Sequence, residues 1–417
     1  METSVVGKRV PRLDALEQAK GQTRYLDDLP ELPGTLHAMV HTSRYPSAEI
    51  LGVDVSEAVR LPGVAAVITA RDVPNNVLGL QVADEYVFAD KRTHYRGEAI
   101  AAVAAETPEI ARMAVERIRV EYRELEPVFD PREAMKPDAP LVHPERDNLV
   151  LHAKLRRGDV EQGFSQSDLV VEDHFETQLV EHSHMETHGG TAHVDHNGKL
   201  TVRTSTQMPF IVRILLQMAL GLPATKIRVI KTDVGGAFGG KNELAVEHHI
   251  ALLAMRTGRP VKMVWRREDE FQRSTLRHRM FMDYKTGVKK DGTLMAVQVQ
   301  IIMDNGPITS WSMGPPKKAF LHFGPYRVPN VKVDNFLVST NMPPQCSMRG
   351  FGSTSPTFGA EVHMEHVART AGIDSVAFRL KNALREGDIL ACGQTLGTCG
   401  LGEAIRRVAE ASSGTVR

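Results

Sequence analysis

The chain is poor in thiols, in net charge and in long apolar stretches, and each shortage removes a class of function. Only three cysteines, Cys346, Cys392 and Cys399, stand among 417 residues, and none belongs to a CxxC pair. Neither a disulfide framework nor a four-thiolate iron–sulfur cluster can be built from them, so electrons released in any redox reaction must leave through another chain. Lys plus Arg and Asp plus Glu are each 51, which leaves no net field to gather nucleic acid or anionic lipid. The apolar run at 99–105 is far short of the ~20 residues of a membrane span, and the start, Met-Glu-Thr-Ser-Val-Val-Gly-Lys-Arg-Val, lacks the apolar core of a secretory signal. A cytoplasmic protein with neither nucleic acid nor membrane as partner is the expectation.

What is present is the composition of a folded chain, 42% hydrophobic and 24% charged, long enough for two or three domains of ~100–200 residues. Residues 98–105 form an apolar run fit for a buried strand. Thr107-Pro108-Glu109 then supplies a cap, a helix-starting proline and a first-turn acid, and 118–122 alternates as a strand. Residues 127–148 hold five prolines and little periodicity, which suits a connection and places a domain boundary near 150. Beyond it one pattern occurs twice. The strand 200–204 leads through Ser205-Thr206-Gln207 to a helix opened by Pro209 and ending near Leu220. The strand 226–232 leads through a glycine-rich turn, 234–241, to a helix over 243–255 and a strand over 261–265. Both turns lie between a strand end and a helix start, where free amides favour an anion or a polarised oxygen. After 270 the chain reads as strands and loops, with a β-rich stretch at 295–303, a loop at 305–316 carrying Trp311, and helices at 356–370, 374–384 and 402–411.

The glycine turn, Gly235-Gly236-Ala237-Phe238-Gly239-Gly240-Lys241-Asn242, is one residue away from a phosphate-cradling loop. Asn242 stands where such a loop needs a hydroxyl to hold magnesium, which argues against a nucleotide triphosphatase. A glycine turn can also serve only tight packing, but four glycines around one phenylalanine exceed that need. His182, His184, His188, His193 and His196, with Glu181, Glu186 and Asp195, are dense in possible metal ligands. They follow no fixed ligand spacing, and strand alternation would scatter them over two faces, so hydrogen-bonded histidines are favoured over a metal site. Ser347-Met348-Arg349-Gly350-Phe351-Gly352 sets an arginine and an aromatic ring on a flexed loop. Taken alone, such an arginine is more often a surface or salt-bridging one and such a ring more often core, so the functional reading needs context.

Taken in order, these segments resemble the molybdopterin subunit of the xanthine dehydrogenase and aldehyde oxidase family. The likeness starts at Val6-Gly7-Lys8-Arg9-Val10-Pro11-Arg12-Leu13-Asp14-Ala15 and Gly21-Gln22-Thr23-Arg24-Tyr25-Leu26-Asp27-Asp28. It continues through Tyr95-Arg96-Gly97-Glu98, Ser205-Thr206-Gln207, the glycine turn, Gly324-Pro325-Tyr326-Arg327-Val328-Pro329-Asn330 and the Arg349 loop. The resemblance implies a mixed α/β fold of α+β type, with an α/β hammerhead domain over 1–150 and the first molybdopterin-binding domain over 151–417. It gives Gln207 the role of hydrogen-bonding an oxygen on molybdenum, Phe238 and Gly239 that of presenting backbone amides to the metal's ligands, and Arg349 a place near the metal. Phe351 would stack on a planar substrate, with Asn242 and Lys318 at substrate-recognising positions.

Purine-oxidising members carry glutamate at the Asn242 position and arginine at that of Lys318, so xanthine is not the favoured substrate. Copper-dependent carbon monoxide dehydrogenases have cysteine where Gly350 stands, so a copper–molybdenum site is not expected. Family subunits are usually nearly twice this length, and their second half brings most pterin contacts and the glutamate base. The resemblance therefore implies a split enzyme, as in the nicotinate dehydrogenases of the family. A second molybdopterin subunit would carry the catalytic glutamate, and iron–sulfur and FAD subunits would hold [2Fe-2S] clusters and flavin. The expected cofactor is molybdopterin in its cytosine dinucleotide form. The expected reaction is hydroxylation of an electron-poor carbon in an N-heteroaromatic compound with oxygen from water. Aldehyde oxidation, aromatic acyl-CoA reduction and a non-catalytic scaffold are the alternatives.

Overall fold

The computed structural model describes residues 5–412; the first four residues of the charged start lie outside it. Two sheets organise the chain. The larger has seven strands in the order Ile227–Lys231, Leu200–Thr204, Gly189–Val194, Val261–Val264, Leu36–Thr42, Ala99–Ala105 and Val64–Thr69. Its strand Ala99–Ala105 is buried at every position, because both faces are covered. Ala101 and Val103 pack with Ala58, Ala114 and Ile118 on one side, while Ala102 and Ala104 join the main core on the other. An unbroken run of small apolar residues is the sequence such a strand requires.

The helix Pro108–Glu116 follows as the local signals require, with the Thr107 hydroxyl accepting the Ile110 amide at 3.3 Å. The next strand, Arg119–Glu124, pairs with Ala48–Asp54 in a separate three-stranded sheet, so the strand–helix–strand run does not close into one parallel unit. Nor does the first region stand apart. Leu36 and His37 pair in parallel with Val261 and Lys262, and one sheet joins residues on both sides of position 150. The proline-rich stretch is more than a connection: Val128, Ala134 and Val142 are buried against Val338, and Asn341 accepts the Val128 amide at 3.0 Å.

The second sheet has five strands in the order Leu169–Glu176, Met280–Val288, Leu294–Gly306, Asn330–Ser339 and Leu149–Arg157. The helix Thr354–Thr370 lies on it, close enough that a Cβ at Gly359 would fall 2.9 Å from the Tyr284 ring. The helix after the glycine turn starts at Glu247, not at 243. The Glu247 carboxylate folds back to accept the Ala245 and Val246 amides at 2.8 and 3.1 Å, which closes the preceding segment as a turn. Among the described residues, no helix is long and apolar enough to cross a membrane.

Candidate functional site

The strands Leu200–Thr204 and Ile227–Lys231 are parallel neighbours, with Thr204 opposite Lys231. Their carboxyl ends therefore lie side by side, and the turns that follow meet. The Gln207 amide donates to the Lys241 carbonyl at 2.8 Å, and the Thr206 hydroxyl to the same oxygen at 3.1 Å. The Gly239 amide donates to Gln207 Oε1 at 3.0 Å, so the Gln207 NH2 is turned outward. A third loop joins them through the Arg349 amide, which donates to the Phe238 carbonyl at 2.8 Å. Gly239 is demanded twice over. Its φ is +108°, and a Cβ there would sit 2.7 Å from the Ser347 carbonyl oxygen. Phe238 and Phe351 also hold positive φ, 54° and 45°, a strain that bulky residues keep only where their surroundings fix them.

The result is an open cleft of about 440 Å³, lined among others by Gln207, Phe238, Asn242, Trp311, Arg349 and Phe351. Six of the seven residues expected at the site are thus brought together: Gln207, Phe238, Gly239, Asn242, Arg349 and Phe351. Lys318 sits beside them, its ammonium 4.9 Å from the centre of the Phe351 ring, a cation–π contact that helps fix the ring's orientation. Gln207 and Arg349 are exposed and Phe238 is 48% exposed, so the cleft is a wall with one side open.

The wall is braced from behind by groups that the sequence did not mark as partners. Lys241 is fully buried, its ammonium 2.8 Å from Glu186 Oε2 and 2.7 Å from Ser205 Oγ. Glu186 Oε2 also accepts the Gly235 amide at 2.8 Å. Burial alone would raise the Glu186 carboxyl, but the bonds from Lys241, Ser205 and Gly235 outweigh it and hold it below the usual range. The lysine of the glycine turn is therefore a strut between both turns and not a phosphate ligand. Its partner lies 55 residues away in the chain, and no local pattern announces it. Of the histidine group, His182, His184 and His188 are buried and converge, with His182 Nε2 donating to the Ser347 carbonyl at 2.8 Å. His196 is exposed and pairs with neighbouring Asn197.

Residues 142–383 match the family model described as Molybdopterin cofactor-binding domain, and residues 20–126 match Aldehyde oxidase and xanthine dehydrogenase, a/b hammerhead domain. The chain belongs to the xanthine dehydrogenase and aldehyde oxidase family. It is 39% identical over 409 residues to the nicotinate dehydrogenase large molybdopterin subunit of Eubacterium barkeri, covering 97% of this chain and 96% of that subunit. It is also 39% identical to a probable xanthine dehydrogenase subunit of Bacillus subtilis, covering 91% of this chain and 51% of that one. Quinoline 2-oxidoreductase from Pseudomonas putida 86 superposes with a TM-score of 0.91 at 29% identity, covering 98% of this chain and 54% of that one. The chain thus spans nearly all of one relative and about half of the other two.

A molybdopterin-binding chain of this family needs a surface of hydrogen-bond donors, and the cleft fits that need. The Gln207 NH2, the Arg349 guanidinium and the Phe238 amide make no hydrogen bond to any described residue. The residues lining the cleft include no carboxylate, imidazole or thiol. Such a wall cannot ligate a metal by itself, but it suits an oxygen-rich group that brings its metal with it. Glu243, next to Asn242 in the chain, points away from the cleft. It is 8% exposed, and its Oε1 accepts from Ser310 Oγ at 3.0 Å and Cys346 Sγ at 2.9 Å. Burial pushes its carboxyl up, toward the protonated form. Glu243→Gln keeps the acceptor and the shape, so turnover should stay within a few-fold of wild type and stability within about 1 kcal/mol. A loss of several orders of magnitude in kcat would instead make Glu243 the base.

Proposed function

We propose that this chain supplies one wall of the molybdopterin site in a split molybdenum hydroxylase, which hydroxylates an electron-poor carbon of an N-heteroaromatic substrate with water-derived oxygen. The observation that carries the reading is the one-sided cleft, rich in donors and without a base. When bound, the cofactor supplies the two-electron redox chemistry. The residues of this chain bind and orient. The Gln207 NH2, held outward by the Gly239 amide, and the Phe238 amide donate to cofactor oxygens, and Arg349 adds a fixed positive charge beside them. Donors set in place before reaction stabilise developing negative charge at no reorganisation cost. Phe351 offers a ring face for stacking a flat substrate, while the Asn242 amide and the Lys318 ammonium can recognise its polar edge.

Nicotinate and quinoline appear in the names of two similar proteins, and both are N-heteroaromatic rings, which supports that substrate class. The hammerhead and molybdopterin-binding assignments over 1–150 and 151–417 go with this reading. So do a cytosine dinucleotide form of the cofactor, a second molybdopterin subunit bearing the glutamate base, and iron–sulfur and FAD subunits. The test compares the chain produced alone with the chain produced beside its neighbouring subunits. The assembly should hold about one molybdenum per chain and oxidise nicotinate or a related heterocycle with an artificial acceptor, while the chain alone should hold almost none. Full activity from the isolated chain would refute the split site, and turnover of aliphatic aldehydes alone would refute the substrate class.

A further inference from the structure

Directly behind the glycine turn, two imidazoles and a carboxylate meet in the interior. His184 and His188 precede the strand Gly189–Val194, and Glu270 comes from the helix Arg267–Arg273. His184 and Glu270 are wholly buried and His188 is 4% exposed. Backbone carbonyls fix how each ring faces the carboxylate. His184 Nδ1 lies 2.7 Å from the Glu186 carbonyl and must carry its proton there, which leaves Nε2 as a bare lone pair. His188 Nε2 lies 3.0 Å from the Gly240 carbonyl and must carry a proton there, so Nδ1 is the atom turned to Glu270.

Three atoms that can ligate a cation therefore converge: His184 Nε2 at 3.8 Å from Glu270 Oε2, and His188 Nδ1 at 2.9 Å from the same oxygen. A second proton on His188 would satisfy one contact and leave His184 Nε2 facing a carboxylate. That nitrogen is buried and has no hydrogen-bond partner, an arrangement that costs free energy unless something positive lies there. Ligand atoms about 2.0–2.1 Å from a tetrahedral zinc are roughly 3.4 Å apart, and the two distances fall on either side of that value. Histidines whose far nitrogen is tied to a backbone carbonyl are the usual ligands of such an ion.

We propose that His184, His188 and Glu270 form a buried binding site for a divalent cation of the zinc type, with a water completing the coordination. All three ligands belong to this chain and do not depend on what the cleft binds. The place of the site gives it a structural consequence. Through His188 the ion would tie the helix Arg267–Arg273 to the Gly240 carbonyl, next to the amide that orients Gln207.

The experiment uses the chain purified with its partner subunits, stripped by a chelator and then equilibrated with Zn2+ or Co2+. Wild type should take up about one ion per chain, and the cobalt form should show the intense visible bands of a four-coordinate site. His184→Gln keeps a donor for the Glu186 carbonyl, and Glu270→Gln keeps the shape of the side chain. Each should weaken cation binding about 100-fold or more. Molybdenum measured on the same samples separates failure of this site from failure of the cleft. Should a variant not fold, X-ray absorption of the zinc-loaded wild type decides, with two imidazole ligands expected. Wild type that binds no Zn2+ or Co2+ after equilibration, or a zinc without imidazole ligands, would overturn the proposal.

Discussion

The Gln207→Ala enzyme should turn over about 100- to 1,000-fold more slowly than wild type, the usual loss when one preorganised donor to a developing oxyanion is removed. Folding should be little affected. The Gln207 side chain is exposed, and its backbone bond to the Lys241 carbonyl does not depend on the side chain. What alanine removes is the outward NH2 and the acceptor for the Gly239 amide. The freed Gly239 amide faces the cleft and can offset part of the loss, so the lower end of the range is favoured over complete inactivity. The measurement is kcat at saturating substrate, with molybdenum content and thermal midpoint taken on the same preparation. Parallel loss of molybdenum and turnover would mean that Gln207 serves assembly and not the reaction.

The largest effect on stability is expected from Lys241→Met, which should destabilise the chain by about 3–5 kcal/mol, the range for breaking a buried ion pair from one side. The methionine fills the space, but Glu186 is left charged against the Ser205 hydroxyl and two backbone amides alone. The sign of its pH dependence follows. In wild type Glu186 is held below its ordinary value, so its contribution is present above the unfolded carboxyl value and lost as pH falls through the folded one. Without Lys241 the burial effect dominates and the folded value rises. Stability of the variant should then fall as pH rises through that value, and its melting deficit against wild type should be smaller at pH about 5 than at about 8. Glu186→Gln added to Lys241→Met should recover part of the loss, since an uncharged amide replaces the stranded carboxylate. Equal deficits at both pH values, with no recovery in the double variant, would mean that Lys241 matters for its packing alone.

Much of the site could be read from the chain because its parts are local. A strand end, a helix start and the glycines between them are written within a few neighbouring residues, and so are the Thr107 cap and the Pro209 helix start. The helix after the glycine turn begins later than its periodicity suggests, since its start depends on the Glu247 side chain reaching back to two amides. The histidine group shows the limit more clearly. Strand alternation predicts scatter, but His182 and His184 lie before the strand that begins at Gly189, where alternation does not apply.

The sequence by itself determined the alternation of strands and helices and the two strand–turn–helix units, which follow from periodicity and capping acting over a few residues. The residues expected at the cleft came from the family resemblance. Only the tertiary structure decided that Leu36–Thr42 enters the sheet of the second region, that Lys241 turns inward to Glu186, that Glu243 turns away from the cleft, and that Glu270 meets His184 and His188. Each is a pairing between residues 55 or more apart in the chain or the choice of which side of a turn a side chain takes. Such choices are made by burial and charge compensation across the whole core, and no short window of sequence contains both partners.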